Sequence, residues 1–292
     1  MEELTVRYGN RTAIDRATWR AAAGQITVIM GANGAGKSST LRVAVGLLAP
    51  TAGSVRVLGL DPRDRALRPR VGVMLPAGGF YPSSTARRSL SVLAAQYASP
   101  QPIAELATFV GLTHLDTPYR RMSSGEQRKL ALAAALVGRP ELVIADEPTS
   151  GLDPTARHHV WTLFNQLRAR GVSVVTTTHP GQEAEALADH VVMYHDGRVV
   201  ADGTLEELLR GSETLRFTAG AGIDLAGLRA ALPEHCEVIE EQPGRYIVSP
   251  GSEAQVAATV TAWCVQHGVA PRELHVGRRD LESVYFEVTD VA

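Results

Sequence analysis

The spacing of hydrophobic and polar positions divides the first 210 residues into strands that alternate with helices. Short apolar or β-branched runs predict strands, whereas apolar positions three to four residues apart predict helices. The predicted strands are 4–8, 25–30, 54–58, 142–147, 173–178, 190–194 and 198–201, and the apolar run 71–75 is expected to be buried. The predicted helices are 37–45, 85–97, 103–110, 126–137 and 154–170. This alternation indicates an α/β fold built on a parallel sheet.

Two stretches depart from this alternation. A loop rich in Gly, Pro and Ser covers 76–84, and only helical periods follow it, which predicts a helical insertion at about 76–139. The later runs 215–217, 225–232, 236–240, 245–248, 255–267 and 273–276 have the order β, α, β, β, α, β. That order predicts a small α+β sandwich of the split βαβ type. We therefore predict two domains, 1–210 and 211–292. The second shows no catalytic constellation and is interpreted as an accessory domain.

Composition narrows the class of protein. The 292 residues carry 29 basic and 31 acidic side chains, and this near balance argues against binding nucleic acid through bulk charge. No apolar run reaches the length of a membrane span, and the first residues lack the pattern of a signal peptide, so we expect a cytoplasmic protein. Cys236 and Cys264 lie in apolar patterns without metal-like spacing, which predicts buried, reduced thiols.

The most informative chemical motif follows the strand at 25–30. Residues 31–38 read Gly-Ala-Asn-Gly-Ala-Gly-Lys-Ser and fit the phosphate-binding loop G-x-x-x-x-G-K-[ST]. Glycines let successive backbone amides surround phosphate oxygens, Lys37 reaches the β- and γ-phosphates, and the Ser38 hydroxyl binds Mg²⁺. A helix starting at Lys37 directs its amino terminus at the anion. The residues predicted here to bind a nucleoside triphosphate are Gly31, Asn33, Gly34, Ala35, Gly36, Lys37, Ser38 and Ser39.

A second motif lies about 110 residues further on. The apolar run from Leu142 ends in Asp146 and Glu147, which is typical of a central parallel strand with acids at its carboxyl end. Asp146 is placed to hold Mg²⁺ through water, and Glu147 to polarise an attacking water molecule. The alternative is an ordinary strand followed by an acidic turn. The phosphate loop favours the catalytic interpretation.

With both motifs in place, residues 1 to about 210 resemble the nucleotide-binding subunits of ATP-binding cassette (ABC) transporters. Residues 121–128, Arg-Met-Ser-Ser-Gly-Glu-Gln-Arg, are similar to the signature sequence of that family. The resemblance implies that Ser123, Gly125 and Glu126 complete the ATP site of the opposite subunit. The simpler interpretation is a capping box between Ser123 and Glu126, and both can hold together.

Three further residues, Asp153, His179 and Tyr8, each match one position of the family pattern. Residues 150–153 resemble the segment that crosses the dimer interface, which implies a role for Asp153 at the nucleotide. His179 matches the switch histidine that contacts the γ-phosphate, and Tyr8 matches the aromatic residue that stacks on adenine. The alternatives are a structural histidine at a strand end and a buried strand tyrosine.

Two departures from the family pattern affect the expected chemistry. Ser124 stands where the signature usually has glycine and adds a side chain at a tightly packed place, and Met122 replaces leucine. Pro76 or Ala77 stands where the family usually places a glutamine that binds Mg²⁺ and senses the membrane partner. Neither side chain ligates a cation, so we expect slow hydrolysis.

The resemblance implies a P-loop ATPase that acts as a dimer, with ATP and Mg²⁺, on a separate integral-membrane permease. The subunit would lie at the inner face of the cell membrane through that permease. Residues 281–289 resemble the tail of ATPase subunits that drive bacterial drug and antibiotic exporters. The alternatives are a nucleotide-binding regulatory subunit with little hydrolysis and a non-transport ABC ATPase. The permease would select the transported substrate.

Overall fold

The computed structural model describes residues 1–74, 79–179, 181–209, 213–251, 254–278 and 280–290. The chain divides into two compact units. The large unit comprises Met1–Leu205 and the end of the last helix from Val288, and the small unit comprises Glu206–Glu287. No helix within the described ranges is both long and apolar enough to cross a membrane. That the two units are separate functional domains stays a prediction.

The large unit contains nine strands among its described residues. They are β1 Glu2–Tyr8, β2 Arg11–Ala17, β3 Ile26–Gly31, β4 Ala52–Ser54, β5 Val71–Met74, β6 Leu142–Ala145, β7 Ser173–Thr178, β8 His190–His195 and β9 Arg198–Thr204. Its helices are α1 Lys37–Ala44, α2 Ala86–Ala94, α3 Ile103–Val110, α4 Ser124–Leu136, α5 Pro154–Ala169 and α6 Gln182–Leu187. A short helix, α7 Leu205–Leu209, begins where the chain divides.

A six-stranded sheet forms the centre of the large unit, in the order β5-β6-β7-β3-β8-β9. All neighbours are parallel except β9, which is antiparallel to β8. Every residue of β3, β6 and β7 is buried, as expected for central parallel strands covered on both faces. The predicted parallel α/β sheet is confirmed. Its order places the carboxyl ends of β6, β7 and β3 side by side.

A second, antiparallel sheet has the order β2-β1-β4. The prediction of a strand at 54–58 is wrong, because β4 ends at Ser54 and Val57 forms only an isolated bridge with Leu60. Val55 and Val57 are buried in the core of the large unit. The apolar alternation at 54–58 therefore reflects burial against that core and not pairing within a sheet. Strand β2 was not predicted.

Among the described residues between β5 and β6, the three α-helices α2, α3 and α4 confirm the predicted helical insertion. Helix α3 occupies the predicted residues, whereas α2 and α4 are shorter than or shifted from their predicted ranges by a few residues. The residues discussed for the missing glutamine, Pro76 and Ala77, lie outside the described residues.

The small unit has the predicted order of elements. They are β10 Glu213–Thr218, α8 Leu225–Ala231, β11 Glu237–Gln242, β12 Arg245–Ser249, α9 Ala254–Gln266, β13 Arg272–Arg278 and α10 Leu281–Asp290. The sheet has the order β11-β12-β10-β13 with antiparallel neighbours throughout, which confirms the split βαβ sandwich. Cys236 and Cys264 are buried in its core as reduced thiols, as predicted.

Candidate nucleotide-binding site

The predicted phosphate loop connects β3 to α1 in a conformation that requires glycine. Gly36 is the residue before α1 and has a left-handed backbone with φ of 112°. A β-carbon at this position would lie 2.8 Å from the carbonyl oxygen of Ala13. No side chain caps the amino terminus of α1 at Gly36. Its first amides therefore stay available to an anion.

Lys37 places a buried cation inside this loop. Its Nζ donates to the carbonyl oxygens of Gly31 at 2.7 Å and Ala32 at 3.1 Å. Burial lowers the pKa of Lys37, and the nearby charges of Glu147 and Asp146 partly oppose that shift. The ammonium group is thus held beside two carboxylates, in the position from which it can neutralise phosphate charge.

The second motif meets the loop through a hydroxyl–carboxylate pair. The Ser38 hydroxyl donates to Asp146 Oδ1 at 3.2 Å, and the Thr177 hydroxyl donates to the same oxygen at 2.6 Å. A hydroxyl and a carboxylate are the hard oxygen donors that Mg²⁺ takes, so Ser38 and Asp146 fit the predicted ion. Within the described ranges, no cluster of three or more His, Cys, Asp or Glu residues could hold a metal.

Glu147 and His179 lie close together where the neighbouring strands β6 and β7 end. His179 Nε2 lies 3.5 Å from Glu147 Oε1, and both side chains are partly exposed. The backbone of Glu147 is left-handed with φ of 45°, which is uncommon for a residue with a β-carbon. Its amide donates to the Thr177 hydroxyl at 2.9 Å. The predicted catalytic pair is therefore brought together at the ends of β6 and β7.

The predicted adenine-stacking residue lies beside the start of α1. The Tyr8 hydroxyl lies 3.3 Å from Ser39 Oγ, and the residue is 45% exposed. The alternative of a buried strand tyrosine is therefore wrong. Asn33 and Gly34 form the exposed tip of the loop, whereas Ala35 is buried.

The signature residues form a local cap at the start of α4. Ser123 Oγ accepts from the Glu126 amide at 3.2 Å, and Glu126 Oε2 accepts from the Ser123 amide at 2.9 Å. This bond from the Ser123 amide is the main reason why the pKa of Glu126 lies below its usual value. The predicted capping box is confirmed. Ser124 is exposed and an added β-carbon at Gly125 would meet nothing within 4 Å, so the expected tight packing is wrong for the single protomer.

Asp153 likewise caps the helix that directly follows it. Its Oδ1 accepts from the Ala156 amide at 2.9 Å and caps α5, with Pro154 at the first helical position. Asp153 and the signature residues therefore form caps, whereas Lys37, Ser38, Asp146, Glu147 and His179 gather at one edge of the sheet. One protomer thus brings together the phosphate loop and the two acids.

Comparison with known proteins agrees with this geometry. Residues 14–150 match the ABC transporter family. The Nod factor export ATP-binding protein I of Paraburkholderia xenovorans is 34% identical over 260 residues, which are 85% of this chain and 85% of that protein. This chain belongs to the ABC transporter family, as an ATP-binding subunit. The protein of the same name from Ralstonia nicotianae is 31% identical over 99% of this chain and 92% of its own length.

Solved structures show the same cassette. An ATP-binding subunit of an ABC transporter superposes with a TM-score of 0.65 at 28% identity, covering 72% of this chain and 90% of its own. A dimeric ATP-binding cassette in a post-hydrolysis state with ADP and Pi has the same fold. It superposes with a TM-score of 0.64 at 24% identity, covering 70% of this chain and 97% of its own.

Two parts of the cassette site were not predicted. Thr177 joins Asp146 to the Glu147 amide, and Glu183 accepts hydrogen bonds from Thr149 and Thr178. One available signal was the run of three threonines on a fully buried strand, because buried hydroxyls require partners. The identity of those partners depends on the neighbouring strand, which the sequence of β7 does not specify.

Proposed function

We propose that this chain is the ATP-hydrolysing subunit of an exporter and that two copies act on a separate membrane permease. The supporting observation is the 3.5 Å approach of Glu147 to His179 beside the buried Lys37. A cassette that only bound nucleotide would not need a partly exposed base next to a switch histidine. This arrangement favours a hydrolytic subunit over a regulatory one.

In the proposed reaction, Glu147 accepts a proton from the attacking water while the water oxygen bonds to the γ-phosphorus. The bond from that phosphorus to the bridging oxygen breaks, and ADP and phosphate leave. Lys37 neutralises the developing charge and His179 orients the γ-phosphate. Mg²⁺, when bound at Ser38 and Asp146, adds charge neutralisation. The protein thus contributes mainly position and electrostatics.

The dimer part of the proposal rests on Ser123 and Asp153, two predicted nucleotide-binding residues that do not gather with the phosphate loop of their own chain. Ser123 caps α4, whose amino terminus is suited to phosphate, and Asp153 caps α5. In the proposed sandwich, these residues of one copy complete the site formed by Lys37 in the other copy. The related dimeric cassette with ADP and Pi supports this arrangement.

The permease part rests on exposed apolar residues near α1. Leu47 is 67% exposed and Val73 is also exposed, and both line one surface pocket of about 450 Å³. Exposed apolar residues gathered in one place mark interaction surfaces. We therefore place the permease contact at this pocket and the subunit at the cytoplasmic face of the membrane. The small unit serves as an accessory domain for partner binding.

Export is supported by relatives named for Nod factor export, at 30–34% identity. The resemblance of residues 281–289 to the tail of drug-exporter subunits supports a drug or antibiotic as the substrate.

The test is reconstitution of the full chain in vesicles with a candidate integral-membrane permease. ATP hydrolysis should rise when the permease is present, and Leu47→Asp should remove that rise without changing basal hydrolysis. A matched change at another exposed position, Val92→Asp, serves as a control for added charge. Absence of hydrolysis under every condition would favour the regulatory alternative. Hydrolysis that no permease changes would favour a non-transport ATPase.

A further inference from the structure

The carboxylate of Glu183 on α6 receives hydrogen bonds from three segments of the cassette. The Thr149 hydroxyl lies 2.6 Å and 2.8 Å from its two oxygens, and the Thr178 hydroxyl donates to one of them at 2.7 Å. The Trp161 indole N–H donates to the other at 3.3 Å. Thr149 lies in the loop after β6, Thr178 ends β7, and Trp161 belongs to α5. One side chain therefore joins the loop, the strand end and the helix.

Both threonines are adjacent to the proposed hydrolytic pair. Thr149 follows Glu147 by two residues, and Thr178 directly precedes His179. Both threonines are buried, so their hydroxyls need partners within the protein. The distance between Glu147 and His179 depends on how these two segments are held, and Glu183 holds both.

The tie through Glu183 differs from the one through Thr177. Successive side chains of a strand point to opposite faces of the sheet, so Thr177 and Thr178 leave β7 on different sides. Thr177 contacts Asp146 and the Glu147 amide on one side, and Thr178 contacts Glu183 on the other. The end of β7 is thereby fixed from both faces immediately before His179.

The chemistry of a carboxylate suits this task. An ionised glutamate only accepts hydrogen bonds, and its two oxygens together offer about four lone-pair positions. All three neighbours of Glu183 donate. Bonds to a charged acceptor are shorter and stronger than bonds between neutral groups, in agreement with the distances to the two hydroxyls.

We propose that Glu183 is a positioning residue for ATP hydrolysis, which sets the approach of Glu147 to His179 by holding Thr149 and Thr178. This inference rests on the proposed hydrolytic function. Glu183 touches neither Lys37 nor Ser38 in the described hydrogen bonds, so it acts on turnover more than on nucleotide binding. A misplacement of reacting groups by about 1 Å costs up to about a hundredfold in rate.

The test compares the full chain with Glu183→Ala, Glu183→Gln and the double variant Thr149→Val/Thr178→Val. Glu105→Ala, which removes an exposed carboxylate from α3, is the matched control. Turnover, KM for ATP, the dissociation constant of a non-hydrolysable ATP analogue and the thermal midpoint are measured for each. Hydrogen exchange of peptides that cover 147–153 gives a readout that does not depend on activity.

We expect Glu183→Ala to lower kcat by about tenfold or more with KM and analogue affinity changed by less than about threefold. Exchange at 147–153 should rise, and Glu183→Gln should fall between Ala and wild type because it keeps one acceptor oxygen. Adding Glu183→Ala to the double valine variant should cause little further loss, because the three residues act as one unit.

Three results would overturn the proposal: unchanged kcat per folded molecule with only a lower thermal midpoint, unchanged exchange at 147–153, or additive losses in the combined variant. If Glu183→Ala does not fold, the Gln and valine variants decide by the same criteria. If wild type does not hydrolyse ATP, the proposed function fails instead. The exchange measurement still judges the positioning role.

Discussion

Two carboxylates, one in each unit of the chain, receive several hydrogen bonds but differ in their donors. Asp146 in the large unit accepts from the Ser38 and Thr177 hydroxyls and lies near the buried Lys37 ammonium. Glu240 in the small unit accepts from the amides of Gly222 and Gly244, at 3.1 Å and 2.8 Å, and from the Tyr246 hydroxyl at 2.9 Å. Both are well satisfied, yet Asp146 lies beside a buried cation, whereas Glu240 is held mainly by backbone amides.

This difference in hydrogen-bond donors distinguishes a carboxylate in a site of chemistry from a carboxylate that holds two turns together. Backbone amides in turns cannot rotate away, so the Gly222 and Gly244 amides hold Glu240 as a tie between two turns. Hydroxyls rotate, so Ser38 can release Asp146 and both oxygens can face a cation instead. A carboxylate surrounded by rotatable donors and a cation is therefore a better indicator of a site than the number of its hydrogen bonds.

The largest expected effect comes from removing the Lys37 ammonium group, the cation beside Asp146. Lys37→Ala should lower ATP turnover by about a thousandfold or more, because its ammonium group neutralises the transferred phosphate from inside the loop. Far-UV circular dichroism should stay unchanged. Turnover and ATP affinity like those of wild type would remove Lys37 from the site.

Glu147→Gln should lower hydrolysis by about a hundredfold or more, since the amide cannot accept the proton from water. Nucleotide binding should persist and leave an ATP-bound dimer, which light scattering with ATP detects. A strictly monomeric variant at saturating ATP with ordinary turnover would contradict both the role of Glu147 and the sandwich.

Removing the second unit sharpens the comparison. A chain that ends at residue 210 should bind ATP within about threefold of the wild-type affinity, because all the predicted nucleotide-binding residues precede that point. Transport or permease association should be lost. Loss of ATP binding in a folded, truncated chain would show that the predicted division at residue 210 is wrong.

A smaller effect is expected from restoring the missing glutamine. Pro76→Gln or Ala77→Gln should lower the Mg²⁺ concentration needed for half-maximal turnover, because an amide oxygen would replace a water ligand. Titration of turnover with Mg²⁺ compares both with wild type. If neither changes the requirement or the rate, hydrolysis is not limited by the absent side chain.

The smallest effect on turnover should come from Glu240→Gln. This variant should instead lower the thermal stability of the protein. The Gly244 amide is the main reason why the pKa of Glu240 is lowered. A lowered folded-state pKa means that the stabilisation is full above the unfolded value of about 4.3 and is lost as pH falls through the folded value. The variant should therefore unfold at a lower temperature than wild type at neutral pH, and this difference should shrink in acid. A constant difference at all pH values would rule out the charge of Glu240 as its source.

The sequence was sufficient to predict the positions of the residues that follow parallel strands. Strand ends meet at one edge, so Lys37, Asp146 and His179 could be placed together from motifs alone. The contacts of Thr177 and Glu183 could not be predicted, because their partners follow the neighbouring strand β6 or, for Glu183, also lie on β7 and α5, and which strands are neighbours depends on sheet order. The strand wrongly predicted at 54–58 shows the same limit, since Val55 and Val57 alternate as a strand does but pack on the core unpaired.

The left-handed backbone of Glu147 has a consequence for selection on stability. A residue with a β-carbon in this region costs about 1–2 kcal/mol that glycine avoids. Glycine at position 147 would relieve that strain and remove the proposed base in the same step. Directed evolution that selects for thermal stability alone should therefore favour glycine at position 147, and such variants should be inactive. A thermostability screen of this subunit needs a catalytic selection beside it.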